Sequence, residues 1–333
     1  MVLFQELKSS LSEALVQFLW DQWVSIGLAG GARACSVPFV VDPEALLLAT
    51  SRFAKDDPRL FGEALDWLVV NGKLLSAQRL KSMYLRSTFG EIRVLAAMDQ
   101  YLKENASGSG VKLLGFASAL ESHASLDEWF GDSTFTSRGH SRRPTPFEGE
   151  AFLFRMRSFF GINARAEVFS WLLLEGRPGH PALIGRETEW GAKTVQVVLN
   201  EMAESGLVFL AEGEREKNFR VDVEAWKVFF ANGPRPRWWS QAPFYEACFK
   251  LTQMLKELDA VEESSDSAKA IKIRSSASGL TAQFVLAKQA GRFEEVLHRR
   301  GAELVDEVRN ETLRLISDLS SREALLTPGY RIG

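Results

Sequence analysis

Residues 185–196 read GRETEWGAKTVQ. Two glycines followed by a Lys-Thr pair admit two readings. One is a phosphate-binding loop. The other is the turn into a helix that reads DNA. A phosphate-binding loop needs G-x-x-x-x-G-K-[ST], so that consecutive backbone N–H groups wrap the phosphates. Here five residues separate Gly185 from Gly191, and Ala192 stands between that glycine and Lys193. The residues before Gly185 follow a helical pattern, not that of a strand. The spacing therefore fits a turn between two helices.

The pattern around this turn extends in both directions. NARAEVFSWLLLEG (163–176) predicts a helix capped by Asn163, with Ala166, Val168, Phe169, Leu172 and Leu173 on its apolar side. The Pro-Gly and His-Pro steps of RPGHP break it, and ALIGRETEW gives a short second helix. After Gly191, AKTVQVVLNEMAESG predicts a third helix with Val195, Val198, Leu199 and Met202 turned inward and Gly206 as its stop. LVFLAE, GEREKN and FRVDV then read as strand, polar turn and strand. The order of helix, short helix, turn, helix and hairpin is that of a winged helix-turn-helix.

The segment LIGRETEWGAKTVQVVLNEMAESGLVFLAEGEREKNFRV resembles the winged-helix domain of bacterial transcriptional regulators, of the broad MarR/ArsR-like kind. Thr194-Val195, Leu199, Met202 and Gly206-Leu207-Val208 match that pattern in register, and the resemblance covers residues 151–222. Glu189 stands where the family usually has glycine, and Gly191 where it often has serine or threonine. The resemblance implies binding to double-stranded DNA. Lys193, Gln196 and Asn200 of the helix 192–205 would face the major groove, where Gln and Asn pair with adenine. Thr194 and Arg186 would meet the backbone, and Arg215, Lys217, Asn218 and Arg220 would serve the wing 212–220. Residues 151–222 hold nine basic and ten acidic side chains, a net charge of −1, whereas DNA-binding domains are usually basic. The alternative is therefore a protein-protein docking module built on the same wing.

The expected organisation is mainly α and multi-domain. It comprises a helical region 1–131, a linker 132–150, the winged helix 151–222 and a C-terminal helical region 223–333. Asp42-Pro43 and Asp57-Pro58 each place an N-cap before a first-turn proline. The stretch 132–150 is rich in Ser, Thr, Gly, Pro and Arg, without periodicity, and reads either as a solvated linker or as a basic arm carrying Arg138, Arg142 and Arg143. Phe293, Leu297, Leu304, Val308, Leu315 and Leu319 recur at helical spacing, as either core or the seam of a homodimer.

The same sequence argues against enzyme chemistry. His123, His140, His180 and His298 show no metal-ligand spacing, and no GxSxG or GxGxxG occurs. No cofactor, catalytic residue or metal site is expected. Cys35 and Cys248 are far apart and read as reduced thiols. The start of the chain carries Glu6, Glu13 and Asp21 and lacks the basic-then-apolar pattern of a secretory leader, so a cytoplasmic location without membrane insertion is expected. The nine tryptophans fall mostly on apolar faces and read as core, not as a stacking platform.

Overall fold

A computed structural model describes residues 2–29, 37–87, 89–122, 124–130, 135–211, 217–230, 235–289, 291–294, 296 and 298–321. The chain is mainly helical, with one small two-stranded antiparallel sheet. It divides into two compact units, one made of residues 21–239 and the other of 1–20 with 240–333. The first helix, α1 (Phe4–Ser25), contributes its residues up to Trp20 to the second of these.

The 21–239 unit begins with the end of α1, where Trp23 packs edge-on against Trp67 and its indole N–H donates to the Thr50 hydroxyl at 2.8 Å. Helices α2 (Pro43–Arg52) and α3 (Pro58–Asn71) start as their sequences predict. The Asp42 carboxylate accepts from the Ala45 amide at 3.2 Å, and that of Asp57 from Leu60 at 2.9 Å. Next come α4 (Ala77–Ser87), α5 (Ile92–Asn105), α6 (Gly115–Leu120) and α7 (Asp127–Phe130). Four further helices follow: α8 (Phe152–Phe160), α9 (Ala164–Glu175), α10 (Pro181–Thr188) and α11 (Ala192–Glu204). Strands β1 (Phe209–Leu210) and β2 (Phe219–Arg220) close the unit's hairpin.

The expected boundaries near residues 131, 150 and 222 mark changes of composition; buried charges cross the first two, and the Trp238 indole, donating to the Glu187 carbonyl at 3.2 Å, crosses the third. Glu44 of α2 and Arg79 of α4 are fully buried, as are Arg157 of α8 and Glu167 of α9. Arg79 donates to Asp42 at 2.5 and 2.7 Å, to Glu44 at 2.7 Å and, through Nε, to the Thr188 carbonyl at the end of α10 at 2.9 Å. Arg157 donates to Glu44 at 2.8 Å, to Glu167 at 2.7 and 2.9 Å and to the Leu74 carbonyl at 2.9 Å. Burial alone would push the Asp42 carboxyl up, but the charge and hydrogen bonds of Arg79 outweigh it and hold the carboxyl below its ordinary value.

The expected linker 132–150 is, over the described residues 135–150, a strap laid on α3. Its backbone lacks periodicity because its amides bond to a side chain. The Asp66 carboxylate accepts from the Ser137 hydroxyl at 2.6 Å, the Gly139 amide at 2.7 Å and the Ser141 amide at 3.1 Å. Burial would raise this carboxyl, and the strap's bonds lower it instead. Farther along, the Arg142 amide donates to the Gly27 carbonyl at 2.7 Å.

The other unit packs α12 (Gln241–Asp259), α13 (Asp266–Leu286) and α14 (Gly301–Ser321) with the start of α1. Leu304, Val308, Leu315 and Leu319 of the apolar stripe are buried in this unit, and Phe293 lies in the turn before α14. Leu297 lies outside the described residues. The stripe is thus core, which leaves it unavailable as a dimer seam. Arg309 bonds Glu262 at 3.1 Å and lies over the Phe4 ring, 4.4 Å from its centre. Burial drives the Cys248 thiol far up, which keeps it protonated and unreactive; Cys35 lies outside the described residues. Among the described residues no helix is long and apolar enough to cross a membrane.

Two outcomes follow from these contacts. Arg79→Met leaves Asp42 without its guanidinium and Glu44 with Arg157 alone, and is expected to cost about 3–5 kcal/mol in urea unfolding at pH 7. In the native protein Asp42 titrates below 3.8, so its contribution is present above that value and is lost as pH falls. Without the guanidinium, burial raises the carboxyl, so the gap between variant and native protein should narrow as pH falls toward 4. A gap independent of pH would refute the assignment.

Candidate nucleic-acid interface

The turn at 185–196 is built by two glycines with different tasks. A Cβ on Gly185 would lie 2.8 Å from the Trp190 carbonyl oxygen and 3.2 Å from the backbone of Ala192. Glycine lets α10 and α11 approach at that point, and the Trp190 amide closes the turn on the Gly185 carbonyl at 3.0 Å. Gly191 is the N-cap of α11 and supplies no side-chain acceptor. At the other end of α10, His180 is the N-cap, its Nδ1 accepting from the Ala182 amide at 3.2 Å.

Glu189, where the resemblance expects glycine, adopts φ 61° and ψ 28°. This is the left-handed conformation that ends a helix and that glycine adopts without strain. The glutamate is held there by Arg86 of α4, which pairs with its carboxylate at 2.9 Å and also donates to its carbonyl. Glu189 thus carries no uncompensated charge into the turn.

The hairpin is shorter than its sequence suggests. Phe209 pairs with Arg220 and Leu210 with Phe219, and the Ala211 amide reaches the Asn218 carbonyl at 2.9 Å. Phe219 also exchanges two backbone hydrogen bonds with Gly179, at 2.9 and 3.0 Å, so the segment before α10 flanks β2 as a third, one-residue partner. A Cβ at Gly179 would lie 2.4 Å from the Trp171 ring, which explains the glycine there. Val195, Val198, Leu199 and Met202 are buried against α9 in one core with Trp171, Ile184, Val208 and Phe219.

With that face inward, the opposite face of α11 is open. Lys193, Thr194 and Asn200 are exposed and Gln196 is half-buried. Gln196 Nε2 donates to Asn200 Oδ1 at 3.1 Å, so these two amides form one unit on the surface. Arg186 is exposed on α10, as are Lys217 and Arg220 on the hairpin, with Asn218 half-buried. The Arg220 guanidinium lies over the Phe209 ring at 5.6 Å. Arg215 falls in 212–216, outside the described residues. Among the described residues, Gln196 and Asn200 are the pair joined by a side-chain hydrogen bond; the other expected residues lie separately on α10, α11 and the hairpin.

Pairing changes the meaning of the segment's charge. Glu167 is held by Arg157, Glu175 by Arg177, Glu187 by the Trp171 indole at 2.7 Å with Arg177 at 4.0 Å, Glu189 by Arg86 and Glu201 by Arg165. Asp222 accepts from the Glu224 and Ala225 amides. Glu204, at the far end of α11, has no basic partner among the described residues. By contrast Arg186, Lys193, Lys217 and Arg220 have no carboxylate partner among the described residues. Exposed apolar side chains lie among them: Val197 (50%), outward on α11 as helical spacing predicts, and Phe209 (44%) and Leu210 (50%) on the hairpin. The outward place of Phe209 and Leu210 is set by the hairpin's register, which the sequence does not carry.

Comparison of the chain with known protein families, with curated proteins and with solved structures finds no match. The geometry alone therefore carries the functional argument.

Glu189→Ala and Glu189→Gly both delete the Arg86 pair and differ in the left-handed backbone alone. The glycine variant is expected to be more stable than the alanine variant by about 1 kcal/mol in urea unfolding. Equal stabilities would refute the backbone argument.

Proposed function

We propose that residues 151–222 form a winged helix-turn-helix and that the protein binds duplex DNA as a transcriptional regulator. The order α9, α10, α11, hairpin supports this reading, as does the one-residue bridge from Gly179 to β2. The observation that carries the DNA reading is the asymmetry of pairing. Among the described residues, five of the segment's seven acids are paired with arginines, while Arg186, Lys193, Lys217 and Arg220 are exposed and have no carboxylate partner. Lys193, Gln196 and Asn200, at helical spacing on the open face of α11, would enter the major groove. Arg186 and Thr194 would contact phosphates, and Arg215, Lys217, Asn218 and Arg220 would serve the wing. Two chains on paired half-sites would use a surface other than the buried stripe of α14.

The exposed Val197, Phe209 and Leu210 favour the second reading, in which the same surface docks a protein. A salt titration separates the two. For DNA binding, log affinity for random-sequence duplex falls linearly with log salt, and Lys193→Ala or Arg220→Ala each lowers the slope by about one counterion. Lack of binding at low salt, or a slope that neither substitution alters, rejects the DNA reading.

A further inference from the structure

A cleft of about 1200 Å³ opens in the 21–239 unit between the end of α1, the strap, the start of α8 and residues 229–230 and 235–237. Five arginines line it, Arg142, Arg143, Arg155, Arg235 and Arg237, against two glutamates, Glu148 and Glu150. The chain as a whole has a formal net charge of −3, so this is a local excess of cations. Glu150 is already engaged, since it is buried and its Oε1 accepts from the Val37 amide at 3.0 Å. Among the described residues Arg142, Arg143, Arg155 and Arg235 have no carboxylate partner.

Arg155 shows what the cleft lacks. It is half-buried, donates to the carbonyls of Pro146 and Phe229, and lies over the rings of Phe147 and Phe152 at 5.4 and 5.9 Å. Desolvation destabilises its charged form, and among the described residues no anion offsets this. A desolvated guanidinium without an acid is satisfied best by a ligand anion, and phosphate oxygens match its planar fork. Phe147 adds a second signal: its ring is 73% exposed on the cleft wall, where a large apolar ring gains by covering a flat ligand.

We propose that this cleft binds a nucleoside polyphosphate, with the arginines on the phosphates and Phe147 against the base. The arginines gather round one concavity instead of tracking along a groove, which suits a compact ligand and not a strand of nucleic acid. The site is separate from the open face of α11 and stands whether or not that face binds DNA.

Calorimetry of the full chain at low ionic strength tests this, with ATP, inorganic tripolyphosphate and adenosine as probes. ATP is expected to bind, tripolyphosphate to bind more weakly and adenosine not to bind. Arg143 and Arg235 have exposed side chains, so R143A/R235A should melt like the native protein while losing about tenfold or more in ATP affinity. Phe147→Ala should weaken ATP and leave tripolyphosphate unchanged. The proposal is overturned if ATP does not bind, if R143A/R235A binds it unchanged, or if Phe147→Ala affects both phosphates equally. It is also overturned if a thymidine oligonucleotide binds more tightly than ATP and loses that binding in R143A/R235A.

Discussion

Two buried arginines set the geometry of the 21–239 unit. Arg79 and Arg157 share Glu44, and each then reaches a further carboxylate and a backbone carbonyl. Such a cluster gains little net stability over an apolar core, because removing charges from water costs nearly what their attraction returns. Its value is directional. A guanidinium has fixed donor positions, so it specifies where its partners lie in a way that apolar packing does not. Through the Thr188 carbonyl, that specification extends to the end of α10 and hence to the turn before α11.

The candidate interface depends on this arrangement in a second way. Its helices carry many glutamates, and in an extended chain they would cancel its cations. Folding pairs those glutamates with Arg86, Arg157, Arg165 and Arg177. Most acids of α9–α11 thus become part of the scaffold, and the cations left over face water. A formal charge of −1 therefore coexists with a set of exposed basic side chains that have no carboxylate partner among the described residues.

Local signals made much of this legible in the sequence. The Asp-Pro pairs at 42–43 and 57–58, the Asn163 cap and the apolar spacing of Val195, Val198, Leu199 and Met202 are short-range patterns, and each forms as expected. What was hidden was long-range. Arg79 and Arg157 look like ordinary surface cations, since their partners lie up to 113 residues away. The strap 135–150 looks like a linker because the group that orders it, Asp66, belongs to a distant helix. Glu189 looks like a misplaced charge until Arg86 of α4 is seen beside it.

The way the chain is shared between its two units bears on how it is made. The 21–239 unit is continuous in sequence, whereas the other needs the start of α1 together with α12–α14. On the ribosome, Phe4 emerges long before Glu262 and Arg309, the side chains that hold it. The apolar start of α1, with Phe4, Leu7, Leu11 and Leu15, must therefore wait without its core at least while residues 21–239 are synthesised. At about 5–20 residues per second that interval is tens of seconds or less, long enough for a chaperone to have a part in the birth of this protein.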